Sequence, residues 1–177
     1  MMSVPPSKNG RISPEPGPSA LPGAVGAPVA LLALLAEHPE LGARLTGVGN
    51  VLLHGGVLSP ADRELLILRV AARNEAPYVE SGHRPIAAAA GLQPAQIDRI
   101  CGRPETGGVS MSLRQFALLR ACDELLDTGG MRPATRSALG LGERHAELLE
   151  IVVVVAYYVQ MCWITNLFGL RPEQSAG

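Results

Sequence analysis

Aromatic residues make up only 3% of this 177-residue chain, so its interior has to be built from Ala, Leu, Val and Ile. Lysine is almost missing as well: Lys8 is the sole one among fifteen basic residues, and the others are arginine. No block of like charge occurs, and the formal net charge is −1. That balance offers no electrostatic handle to nucleic acid or to an anionic membrane surface, and neither is expected as a partner. Cysteine is scarce. Cys101, Cys122 and Cys162 are odd in number, far apart and without a C-x-x-C pair, which fits neither a disulfide framework nor a thiolate zinc site. The expected compartment is a reducing cytoplasm. The N-terminus lacks a charged region followed by an apolar stretch, so no signal peptide is expected. There is no metal-ligand cluster and no glycine loop of the phosphate-cradling kind, so the expectation is no metal and no cofactor.

What is present is apolar and helical. Hydrophobic residues are 47% of the chain, and its length suits one domain with a single core. The abundance of Ala, Gly and Pro, with Arg in place of Lys, fits a GC-rich bacterial genome. Residues 1–28 are dominated by Pro, Gly and Ser and are expected to form a flexible arm. From Val29 to the end, residues 29–177, the pattern is that of a helical domain, with no convincing strand alternation. Ser59 before Pro60 predicts an N-cap followed by proline in the first turn. Ser112 and Gln115 form a capping-box pair, and Gly129-Gly130 predicts the end of that helix. Shorter helices are expected after Pro94 and Pro133, and a long one from about Glu143 to Phe168. The fold class is all-α, with about six to eight helices.

Residues 151–170, "IVVVVAYYVQMCWITNLFGL", contain no charge over twenty positions, long enough to span a bilayer. Gln160, Thr165 and Asn166 interrupt the run, and "ERHAELLE" leads into it as continuous helix. A central buried helix, or one shared between subunits, is the better expectation. So much apolar surface in a small domain also predicts a homo-oligomer.

Candidate chemistry is concentrated in "NEAPYVESGHRPIAAAAG", residues 74–91. Positions three and four apart share a helical face, which places Glu80 beside His83. A carboxylate there would raise the imidazole pKa and orient the ring for general acid–base work. A solvated Glu–His pair on a surface helix has the same spacing, and the sequence alone leaves both open. Glu64 sits in the preceding helix, either as a second acid–base group or as a first-turn glutamate favoured by the helix dipole. Tyr78 points elsewhere on its helix and reads as packing. Pro85 removes the amide that would bond to Ser81, so either the helix bends just past His83 or Ser81 caps a helix that begins near Gly82.

"LSPADRELLILRVAARNEAPYVESGH", "AAAAGLQPAQIDRI" and "LLEIVVVVAYYVQMCWITNLFG" together resemble the carboxymuconolactone decarboxylase-like group of the alkylhydroperoxidase D-like superfamily. The resemblance runs from about Glu37 to Pro172. It implies a helical fold assembled as trimers or hexamers, with active sites near subunit contacts. His83 matches the family histidine, Tyr78 the tyrosine of that motif, and Glu64 the glutamate of the peroxidase branch. Where that branch carries its two redox cysteines, this chain has Ala76 and Val79, which excludes peroxide reduction by that route. The family's Glu-Trp is Val79-Glu80 here, so the carboxylate moves one position and the bulky ring is lost.

The resulting expectation is a cofactor-independent lyase or isomerase acting on a small acidic or carbonyl-bearing metabolite. His83 would be its general acid/base, Glu80 the orienting carboxylate and Glu64 a second acid–base or polarising group, with Tyr78 of the motif in the site. A catalytically silent oligomeric binding protein of the same fold is the alternative.

Overall fold

The helix boundaries follow the sequence punctuation closely. The structure, a computed structural model, describes residues 29–103, 110–142 and 144–172, so the arm expected over residues 1–28 lies outside the described residues. Regular structure among them consists of eight α-helices and one π-turn. Helices α1 (Val29–Ala36) and α2 (Pro39–Asn50) lead into the π-turn, Val51–Gly55. Then come α3 (Pro60–Arg73), α4 (Pro77–Ala89), α5 (Pro94–Ile100), α6 (Leu113–Thr128), α7 (Pro133–Ala138) and α8 (His145–Leu167). Ser59 Oγ accepts the Asp62 amide at 3.1 Å, capping α3 as its sequence predicts. At α6 the capping box is complete: Ser112 Oγ accepts the Gln115 amide at 3.1 Å, and Gln115 Oε1 accepts the Ser112 amide at 2.8 Å. Gly129 ends that helix at φ 69°, a left-handed conformation that glycine adopts without penalty.

The centre of the fold is α3, with α4, α6 and α8 packed around it. Leu65, Leu66, Ile67, Leu68, Val70 and Ala71 are wholly buried, so almost every face of this helix is inside. The charge-free helix near the C-terminus, expected in the core or at an interface, contributes one face to that core. Helix α8 buries one face, through Ile151, Val154, Val155, Tyr158, Met161, Cys162 and Thr165, and leaves Leu149, Val152, Trp163 and Leu167 exposed. It is long and apolar enough to cross a membrane by length and composition, yet its inward face forms part of the core.

A helix as charged as α3 can be central because its charges are paired. Arg69 makes two hydrogen bonds to Asp123, at 2.8 and 2.9 Å, and Arg73 bridges Asp123 and Asp127 at 2.8 and 2.6 Å. Burial pushes the Asp123 carboxyl upward, but the two guanidinium groups outweigh it and hold the group below its usual range. Arg114 joins Asp62 on α3 at 2.8 Å and also pairs with Glu147 on α8.

The loop between the π-turn and α3 is fixed by α8. Glu150 Oε2 accepts the amides of Val57 and Leu58, the latter at 3.2 Å. The side chain lies so close to the loop that a Cβ on Gly56 would sit 2.0 Å from Oε1 and 2.7 Å from Cδ. Glu150 is only 9% exposed and cannot swing into solvent without giving up both amides. Gly56→Ala is therefore expected to lower stability by about 1–3 kcal/mol, the cost of stranding buried polar groups. In a domain of this size, each kcal/mol lowers Tm by about 2–4 °C. Thermal denaturation checks this, and an unchanged Tm would show that the loop yields freely.

Candidate active site

Glu64 lies in the first half of α3, where the helix passes beneath α4 and α8. Its side chain is 0% exposed, an unfavourable place for a carboxylate unless it is hydrogen-bonded and charge-compensated. Both conditions are met. Oε2 lies 2.8 Å from His83 Nδ1, and Oε1 lies 3.3 Å from Arg63 Nε. Arg63 is itself buried, and its Nη1 donates to the Leu52 carbonyl of the π-turn at 3.4 Å.

His83 is on α4, with its side chain 14% exposed. A carboxylate only accepts hydrogen bonds, so the proton of the neutral imidazole belongs on Nδ1, facing Glu64. That tautomer leaves the Nε2 lone pair available, and Nε2 makes no hydrogen bond among the described residues. On the other side, the Tyr158 ring from α8 meets the imidazole edge-on, with centroids 5.0 Å apart and planes at 90°. Burial, reinforced by the nearby Glu64 charge, pushes the Tyr158 phenol far up, so it stays protonated. The ring is held by a carboxylate at one nitrogen and packed against an aromatic ring. Such an imidazole can take up or deliver a proton at Nε2 without first reorienting.

The structure thus brings together two of the four residues expected from sequence, Glu64 and His83. Glu80 is a correction. Its Oε1 lies 3.2 Å from Arg84 and 2.6 Å from Arg103, so it ties α4 to the end of α5 and does not orient His83. Arg84 in turn reaches Asp98 at 2.5 Å. The i,i+3 spacing was real, but two guanidinium groups outcompete a weakly basic imidazole for the carboxylate. Tyr78 is buried, its hydroxyl accepting the Leu31 amide at 3.2 Å, which ties α1 to α4. The aromatic ring against His83 is Tyr158, visible in the sequence only as one of two adjacent tyrosines in a long apolar helix. Pro85 neither breaks nor restarts the helix at Ser81: α4 runs from Pro77 to Ala89, with Ser81 Oγ donating to the Tyr78 carbonyl at 3.0 Å.

Residues 39–118, from the start of α2 into α6, match the carboxymuconolactone decarboxylase family. That segment is similar to the family; the rest of the chain lies outside the match. Both Glu64 and His83 fall inside it, whereas Tyr158 is contributed by α8 beyond the matched segment. Solved structures agree on the fold. A protein of unknown function from Agrobacterium tumefaciens, whose description carries the name AhpD, aligns with a TM-score of 0.67 at 17% identity, over 80% of this chain and 97% of that one. The alkylhydroperoxidase AhpD core of a peroxidase-related protein from Ralstonia eutropha JMP134 aligns with a TM-score of 0.69 at 20% identity, over 81% of this chain and 76% of that one. No curated protein matches the sequence. The segment that matches the carboxymuconolactone decarboxylase family therefore lies in an all-helical AhpD-like fold.

The three cysteines of the chain are poor nucleophiles. Cys122 and Cys162 are buried and Cys101 is partly so. Burial, joined by the negative charge of Glu80 at Cys101 and of Asp123 at Cys122, pushes the thiols up to about 11 for Cys101 and about 12 for the other two. At neutral pH almost no thiolate is present on any of them.

Proposed function

We propose that the protein is a cofactor-independent lyase or isomerase that moves a proton to or from carbon in a small acidic or carbonyl-bearing metabolite. The observation that carries this reading is the buried Glu64–His83 pair, with Nε2 left unbonded. In the isomerase direction, Nε2 removes a proton from carbon next to a carbonyl, the electron pair enters the enolate, and the proton returns at another carbon. In a decarboxylation, the bond to the carboxylate breaks, its electron pair enters the same kind of delocalised system, and the imidazolium protonates carbon as carbon dioxide leaves. Both need one group that alternates between acid and base near neutral pH, which is the particular capability of imidazole. The similarity of residues 39–118 to the carboxymuconolactone decarboxylase family supports a decarboxylation, and the unreactive thiols argue against peroxide reduction.

Incubating the protein in D₂O with a panel of β-keto acids and unsaturated lactone carboxylates, followed by proton NMR, tests the reading. Deuterium should appear at carbon, or carbon dioxide be released, for at least one member of the panel at a rate above the buffer control. Binding to the panel without exchange or release would instead point to a silent binding protein of this fold.

A further inference from the structure

The Glu64–His83 pair is in contact with a second buried charge that the acid–base reading does not use. Arg63 Nε lies 3.3 Å from Glu64 Oε1, while Nη1 reaches the Leu52 carbonyl at 3.4 Å. Its side chain is 10% exposed, so solvent screens it little. The groups facing His83 are few. Glu64 comes from α3 and Tyr158 from α8, and the charged neighbours on its own helix, Glu80 and Arg84, are engaged with Arg103 and Asp98. Tyr158 stays protonated, which leaves Arg63 as the charge that opposes Glu64.

We propose that Arg63 is a positioning residue that sets the charge balance of the Glu64–His83 pair, its buried guanidinium opposing uptake of a further proton by the pair. The reason is charge balance in a poorly solvated site. With Arg63 present, Glu64 as carboxylate and His83 neutral sum to zero with the guanidinium, and protonating His83 leaves a buried positive charge. Without Arg63 the balance reverses: the neutral ring leaves an uncompensated buried carboxylate, and taking up a proton removes it. The pair must then hold its proton to higher pH. The contact with Leu52 adds a second consequence, because it fastens the π-turn to the same guanidinium. π-Turns are irregularities that recur at functional sites.

This inference rests on the acid–base reading of His83, but its test needs no substrate. The His83 imidazole is titrated by heteronuclear NMR in the full-length protein, in Arg63→Met, in Arg63→Lys and in Arg63→Gln. Arg63→Met is expected to raise the apparent pKa of the pair by about one unit or more, the size typical of a close charge in a buried site. Arg63→Lys, which keeps the charge, should stay near wild type. Arg63→Gln, which keeps a donor for the Leu52 carbonyl, serves if the methionine variant does not fold and should shift in the same direction. A folded Arg63→Met or Arg63→Gln protein that titrates like wild type overturns the proposal. So does an Arg63→Lys protein that shifts as far as Arg63→Met, since lysine keeps the charge. Failure of the D₂O exchange assay would instead remove the lyase or isomerase reading and leave the charge relation standing.

Discussion

His83→Gln is expected to lower kcat by about 10²–10⁴-fold on whichever metabolite the D₂O panel identifies, the range typical of removing a general acid–base group. Glutamine keeps the bulk and can hydrogen-bond to Glu64 Oε2 through its amide. The 2.8 Å contact that compensates the buried carboxylate is therefore replaced and not simply lost. Melting temperature and assembly should change little, which separates a chemical effect from a folding one. Glu80→Gln is the matched control. Its carboxylate belongs to the Arg84 and Arg103 pairs on the side of α4 toward α5, so the rate should stay close to wild type. If His83→Gln turns over at the wild-type rate, the acid–base assignment fails at its centre. If instead Glu80→Gln loses as much rate as His83→Gln, the geometry described for the pair is not the working one.

Light scattering in detergent-free buffer is expected to show a homo-oligomer, and Val152→Glu to dissociate it. The argument lies in the outer face of α8. Leu149, Val152, Ala156, Trp163 and Leu167 recur at three-, four- and seven-residue intervals, so they form one stripe along the helix. All are exposed in the single chain, Trp163 by 65% and Leu167 by 81%. Val152, Ala156 and Trp163 of the stripe also line a groove of about 810 Å³ between α6 and α8, together with Leu125, Leu126 and Arg73. An apolar stripe interrupted only by Gln160, on a segment with no charged residue from Ile151 to Leu170, is unfavourable in water and marks an interface. A second copy of the chain brings the same stripe, so the surface is self-complementary, as a two-fold contact requires. A glutamate at position 152 would bury an unpaired charge, costing about 3 kcal/mol or more per contact. That weakens association by roughly 100-fold or more. Because Val152 faces outward, the fold of each chain should survive. A wild-type monomer at micromolar concentration would remove the assembly proposal, and protein that stays insoluble without detergent would favour a membrane-embedded α8 instead.

Much of the secondary structure was legible because its determinants are local. Ser59 and Pro60, Ser112 and Gln115, and Gly129 act on the backbone within three or four residues of themselves, and a linear sequence displays such relations completely. Residue identity is legible too: Ala76 and Val79 bring no thiol to α4 beside His83. The presence of Glu64 and His83 could be read as candidates, because a resemblance to a family supplies position without geometry.

Which carboxylate serves the histidine was decided only in three dimensions. On sequence spacing, Glu80 is three residues from His83 and Glu64 is nineteen away, so local reasoning favours Glu80. Packing α3 under α4 brings the distant carboxylate to 2.8 Å, while Arg103 and Arg84 take the near one. The same holds for the central helix. The sequence alone does not rank α3 against α8 for burial; Asp123 and Asp127 on α6 pair with Arg69 and Arg73, so α3 can go inside despite its charges. Charge pairing across helices is a property of the assembled fold. One sequence shows which groups will need partners in a poorly solvated interior; only the tertiary structure determines which partners they find.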